Sequence, residues 1–200
     1  MKKSIFAVFA VILITGCATP LTTYNTNYVP YTYPTIIENK IDGKILVVMS
    51  PEQELYTIES SPSSFAGAAT KTNFQVGNIS KEIALSVYSG LFKEGIAFSN
   101  YFIEGYSVSI TPSVTYLDYK YDQASSLGLT VTPRVKVSLD MLVLDSAGET
   151  IFKKTYYSGD TKGEPYVFNT SPHEEINKTL HKAIYNVISQ SKTDLINSLK

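Results

Sequence analysis

Between Tyr106 and Val143 apolar side chains recur at every second residue, the clearest structural signal in this 200-residue chain. Tyr106, Val108 and Ile110 alternate with Ser107, Ser109 and Thr111. Beyond Pro112, Thr115, Leu117, Tyr119 and Tyr121 alternate with Asp118 and Lys120. Then Leu129, Val131, Pro133, Val135, Val137, Leu139, Met141 and Val143 fall on one face, and Thr130, Thr132, Arg134, Lys136, Ser138 and Asp140 on the other. This is the pattern of antiparallel sheet with one dry face and one wet one. Asp145-Ser146-Ala147-Gly148 has turn chemistry, and Glu149 to Tyr157 is expected to return as the partner strand. Pro133 has no N–H to give a ladder, which predicts an edge or a bulge there.

Elsewhere the period changes. Lys44 to Met49 is a short apolar run expected to be a buried strand. Ser50 to Gly77 reads as a long loop with an extended piece near Thr72 to Val76, and so as a contact surface. A helix is expected from Ser80, with Glu82 in its first turn and Ile83, Ala84, Val87, Tyr88, Leu91 and Phe92 as its apolar stripe. Gly95 is its expected stop. Ser171-Pro172-His173-Glu174 is a capping box with proline at the first helical position. Ile176, Leu180, Ala183, Ile184, Val187, Ile188, Leu195 and Leu199 form the stripe of the helix that follows. The expected fold is α+β: residues 41–200 form one domain, an antiparallel sheet with two helices packed on one face.

The amino terminus is a different object. MKKSIFAVFAVILITG carries two lysines and then an apolar run from Ile5 to Ile14. Ten residues are too few to span the bilayer core, which needs about 20 as a helix. A charged start, a short apolar core and a small residue at the cut describe an export signal over residues 1–16. Ile14-Thr15-Gly16-Cys17 resembles the lipobox of bacterial lipoproteins at every position, and Cys17 is the only cysteine. The resemblance implies cleavage before Cys17, a diacylglycerol on its thiol, and a further chain such as palmitate on the new amino terminus. Two or more acyl chains hold a protein stably at a membrane. Ala18 is not the Asp that resembles an inner-membrane retention signal, so an outer-membrane, periplasm-facing address is expected.

Residues 17–40 hold Pro20, Pro30 and Pro34 among Thr, Asn and Tyr, with no apolar period. Proline removes ladder donors and disfavours helix before it, so an extended lipidated tether is expected. Its residues after Cys17 reach ~75 Å when fully extended. Two uses are open for it: a passive spacer, or docking of Tyr24, Tyr28, Tyr31 and Tyr33 on a partner or on the domain itself.

Removing 16 of 200 residues takes Lys2 and Lys3 away, leaving 184 residues with 15 Lys+Arg against 18 Asp+Glu, or about −3. No basic field exists to attract nucleic acid. Fifteen tyrosines and no tryptophan suit half-wet strands and recognition surfaces. With one cysteine no intrachain disulfide forms. His173 and His181 lie eight apart on the last predicted helix, about 12 Å along its axis, too far to share a metal, and both are expected at the surface. No G-x-S-x-G elbow, H-E-x-x-H pair or Gly-rich phosphate loop is present. No catalytic residue, metal site or cofactor beyond the lipid on Cys17 is expected, and no enzyme.

The lipobox ITGC, the helix SKEIALSVYSGLF, the strand pair VKVSLDMLVLDSAGETIFKKTYYSGD and the capped helix after it together resemble YajG-like outer-membrane lipoproteins. The order of elements is also similar, more weakly, to LptE-like and transporter-auxiliary lipoproteins. The resemblance implies a non-enzymatic, membrane-anchored accessory or binding component of a cell-envelope assembly. Its partners would be outer-membrane lipid, through Cys17, and an envelope protein. The alternative is a lipid or lipopolysaccharide transport accessory that binds an acyl chain between helices and sheet. Tyr24, Tyr28, Tyr31 and Tyr33, with Arg134 and Lys136 on the wet strand face, are the candidate contact residues.

Overall fold

The computed structural model describes residues 22–27, 29, 40–64, 70–122, 130–167 and 172–199. The fold is α+β with mixed sheets. Its spine is the pair β6 (Val108–Asp122) and β7 (Thr130–Asp145), antiparallel from Val108↔Asp145 to Asp122↔Thr132. β7 buries Val131, Pro133, Val135, Val137, Leu139, Met141 and Val143, as the period of two requires. Thr132 and Ser138, expected on the wet face, are buried as well, because other parts of the fold cover that face there, and Leu129 lies outside the described residues. β6 changes phase midway. Val108, Ile110, Pro112 and Val114 are buried, then Leu117, Tyr119 and Tyr121. The two phases join through a bulge between Val114 and Tyr116. Thr115, expected in phase with Leu117, is therefore exposed, because the extra residue re-aims the strand.

The expected antiparallel sheet is extended on one side by parallel strands, which makes it mixed. β2 (Ile45–Val48) lies parallel to β6 on one side and to β5 (Ile96–Ser99) on the other. Parallel neighbours need a crossover, and α2 (Val76–Tyr88) lies on the connection from β2 to β5. β8 (Thr150–Tyr157) pairs with β7 through the expected turn, where the Asp145 carboxylate accepts from the Ala147 and Glu149 amides and Gly148 takes φ +82°. Short β9 (Thr161–Lys162) and β10 (Tyr166–Val167) pair with the start of β7. Pro133 falls in the gap between them, consistent with its missing donor.

The stretch from Ser50 holds more structure than a loop. Ser50 caps α1 (Pro51–Glu54) in a capping box with Gln53, and Pro51 takes the first helical position. β3 (Ile58–Ser60) and β4 (Thr70–Phe74) pair antiparallel. β1 (Thr22–Thr26) adds to β4 in parallel, making a second, three-stranded sheet.

α2 and the long α3 (Pro172–Ser198) share one core with the sheet. The stripes expected from 3.6-residue spacing are buried, from Ile83 to Tyr88 and from Ile176 to Leu195. α2 ends at Tyr88 with Ser89 as its cap, short of the expected stop at Gly95, so Leu91 and Phe92 are buried from the turn beyond the helix rather than from its stripe. α2 starts four residues earlier than expected, so Ser80 is buried and donates to the Val76 carbonyl. Leu199, expected in the α3 stripe, lies past the helix end and is 38% exposed. The Ser171 cap lies outside the described residues.

Candidate functional site

Three places concentrate shape or charge. The first is a cavity of about 250 Å³ lined by Met49, Glu52, Gln53, Tyr56, Gly77 and Pro112 to Val114. It forms because β2 stops beside Ile110 while β6 runs on, and α1 folds over the vacated flank. Gln53 reaches Ser113 Oγ at 3.2 Å across it. Gly77 is required here, since a Cβ would lie 2.0 Å from the Gln53 carbonyl oxygen. Lys81 donates to Glu54 at 2.6 Å, and that hydrogen bond holds the Glu54 carboxyl below the usual carboxylate range. Asn100 donates to the Met49 carbonyl at 3.0 Å, tying the end of β5 to the same edge. Leu55, Tyr56 and Tyr101 project from this end, 77%, 48% and 70% exposed. Exposed large apolar groups that share one end mark an interaction surface better than scattered ones do.

The second is an open groove of about 470 Å³ between β8 and α3. Asp194 Oδ2 accepts from Lys154 Nζ at 2.6 Å and from the Tyr156 hydroxyl at 2.7 Å. Both bonds hold the Asp194 carboxyl below its ordinary range, Lys154 first. Burial, then the hydrogen bond to Asp194, pushes the Tyr156 phenol above its ordinary range, so it remains a donor.

The third is the wet face of β6 and β7. Arg134 pairs with Asp160 at 2.7 Å and with Asp122 at 3.1 Å, and Lys136 is exposed opposite Asp118. Of the contact residues named from the sequence, Arg134 is thus engaged within the fold. Tyr24 sits in β1 opposite Thr72. Tyr28, Tyr31, Tyr33 and Cys17 lie outside the described residues.

His181 is buried, 1% exposed, where a surface position was expected; His173 is exposed. The cover over His181 comes from the amino-terminal segment. Val29 donates its N–H to His181 Nε2 at 3.1 Å, and Asn177 donates to the Asn27 carbonyl at 2.9 Å. Thr26 Oγ1 accepts from the Gln75 amide at 3.1 Å. No short-range pattern signals that contact. For α1 a signal exists: Ser50-Pro51-Glu52-Gln53 is a capping box followed by no long apolar stripe.

Between α2, α3 and the sheet, Ile79, Ile83, Ile184, Val187, Leu139 and Met141 are all fully buried and fill the seam. Among the described residues no group of three or more His, Cys, Asp or Glu is placed to hold a metal ion. No helix among them is long and apolar enough to cross a membrane.

No family model matches the chain, and no curated protein matches it. In fold it is similar to a Xanthomonas campestris protein of family DUF330, with a TM-score of 0.55 and 11% identity over 90% of this chain and 99% of that one. A candidate lipoprotein from Caulobacter crescentus aligns at 0.38 and 14% identity, over 62% of this chain and 82% of that one. A candidate homolog of the neuraminyllactose-binding hemagglutinin from Helicobacter pylori aligns at 0.43 and 12%, over 86% and 91%. The first likeness is one of fold alone, and the other two are too remote to carry an argument.

Proposed function

We propose that this chain is a non-enzymatic bacterial lipoprotein, held at the outer membrane through acylated Cys17, that binds a protein of the cell envelope. The observation that carries the reading is the junction at Cys17: an export signal ends at ITGC, and the chain enters the folded domain as β1 five residues later. The apolar end formed by Leu55, Tyr56 and Tyr101 around the α1 cavity supports binding. A pocket of this size lies at or below the ~300 Å³ lower end for small-molecule sites, and suits one inserted side chain better.

Two measurements test this. Metabolic labelling with an alkyne fatty acid should mark the wild-type protein and fail to mark Cys17→Ser, which should leave the membrane fraction. A photo-crosslinking residue at Tyr101 should give one dominant adduct with an envelope protein. Labelling unchanged by Cys17→Ser, or no adduct from Tyr101, would sink the respective half of the reading.

A further inference from the structure

We propose that the domain lies against the bilayer with a defined pole, the end formed by Ser60–Ser64 and the Tyr121 end of β6, because the chain is docked from Thr22, five residues after Cys17. This rests on the lipid-anchor reading above.

The geometry is as follows. Only five Cα steps separate Cys17 from Thr22, a reach of roughly 17 Å even when extended. A free segment up to residue 40 would reach ~75 Å. From Thr22 the chain is held at both ends of the docked stretch. Thr22 pairs with Thr70 and Thr26 with Phe74 in the β1–β4 ladder. Beyond the ladder, Asn27 and Val29 are bonded to Asn177 and His181 of α3. The acylated residue therefore lies close to wherever Thr22 lies.

Thr22 lies at one pole. Ser60 pairs with Thr72, which puts the chain just after Ser60 level with Thr70 and hence with Thr22. The same chain runs beside β6: Ser63 donates its N–H to the Tyr119 carbonyl at 2.8 Å, and Tyr121 donates its own to Ser64 Oγ at 2.9 Å. Tyr119 faces Val135 on β7. From Val135 to the turn at Asp145 is ten residues of strand, about 33 Å. The Asp145–Gly148 turn is then the far pole.

Lys71 pairs with Glu59 near this pole, Lys120 with Asp160, and Arg134 with Asp122 and Asp160. Apposition is supplied by the covalent lipid, at about 0.8 kcal/mol per buried methylene.

The test uses the acylated full chain in vesicles of phosphatidylethanolamine and phosphatidylglycerol that carry a headgroup acceptor dye. The acyl chains occupy the Cys17 thiol, so Ser61→Cys or Ser146→Cys, both at exposed positions, labels one site with a donor. Energy transfer should be several-fold greater from position 61 than from 146. A Gly/Ser segment of about 15 residues, worth ~50 Å when extended, is then inserted at either of two places. After Thr19 it should lower transfer from position 61; after Pro34 it should leave transfer unchanged, because the docked segment lies between that site and the lipid. Equal transfer from both positions, or an equal loss from both insertions, overturns the inference while leaving the anchor intact. An amino-terminal peptide whose mass shows no acyl chains overturns the anchor reading itself.

Discussion

The backbone N–H of Val29 donates to Nε2 of His181 across 152 residues of sequence. Nδ1 of the same ring lies 2.8 Å from the Asn177 carbonyl, one helical turn back. A carbonyl only accepts, so the partners assign the ring proton to Nδ1 and leave Nε2 as the acceptor. The ring is therefore neutral, and protonating it would replace the acceptor facing Val29 with a second donor.

That arrangement has a pH dependence of definite sign. Burial, opposed by the bond to Asn177, lowers the His181 pKa from 6.5 to about 4. Between those values the unfolded chain binds the proton and the folded one does not, so stability rises with pH through this window. It is fully present above 6.5 and is lost progressively on acidification toward 4. At ~1.4 kcal/mol per unit the loss amounts to about 3 kcal/mol. Denaturant titrations from pH 7.5 to 4.5 should show this loss in the wild type. His181→Leu should be less stable at neutral pH, with Val29 unpaired, and much flatter over the same window.

Tyr88 and Ser191 join α2 to α3 by a 2.8 Å bond between two fully buried hydroxyls. Ser191 donates its one proton to the Ile188 carbonyl at 2.7 Å, so the Tyr88 hydroxyl is the donor in the pair. Ser191→Ala leaves that phenol unpaired in the core and should cost about 1–3 kcal/mol. Adding Tyr88→Phe should recover part of that loss, with a coupling of about 0.5–3 kcal/mol in the double-mutant cycle. Strictly additive losses would show that the bond contributes nothing.

Gly77 inverts an ordinary expectation. Glycine to alanine within a helix usually gains roughly 0.5–1 kcal/mol. At Gly77 the new methyl meets the Gln53 carbonyl oxygen at 2.0 Å and that of Glu54 at 2.6 Å. Both belong to the backbone and yield only if α1 moves. Gly77→Ala should therefore destabilise by about 1–3 kcal/mol. It should also weaken crosslinking from Tyr101, since α1 forms one wall of the cavity there. A stabilised variant would contradict the packing.

At the β8–α3 groove the two donors to Asp194 should differ in effect. Lys154 is 56% exposed in its side chain, so Lys154→Ala should cost no more than about 1 kcal/mol, less in high salt. Tyr156 is 4% exposed, and Asp194→Ala strands its hydroxyl, at a cost of about 1–3 kcal/mol. Thermal unfolding of the two variants side by side distinguishes these magnitudes.

Local periodicity made much of this fold legible. The alternation along β7, the Asp145–Gly148 turn and the stripes of α2 and α3 all follow from which side chains can face a dry core at spacings of 2.0 and 3.6 residues. The phase change from Val108 and Ile110 to Leu117 and Tyr119 was also visible, though not that a bulge at Thr115 reconciles it. β5 has four residues, too few to display a period, and β2 gives no sign of whether its neighbours run parallel. Arg134 and Lys136 alternate with the buried residues of β7, but the acids that pair with Arg134, Asp122 and Asp160, come from elsewhere in the chain, and local spacing does not record them.

By itself, then, the sequence determined the elements whose formation depends on near neighbours, together with the ITGC junction, whose chemistry is read as a short string. Tertiary structure alone decided the parallel placement of β2, the closing of α1 over the flank of β6, and the burial of His181. It also decided that Thr22 to Asn27 and Val29, which carry no apolar period, bond to the domain. Ladder bonds to β4 and single bonds to Asn177 and His181 hold that segment, and each partner lies about 50 or 150 residues away. Backbone groups pair with whatever the fold brings within reach, and no pattern of side chains along a segment records which partner that will be.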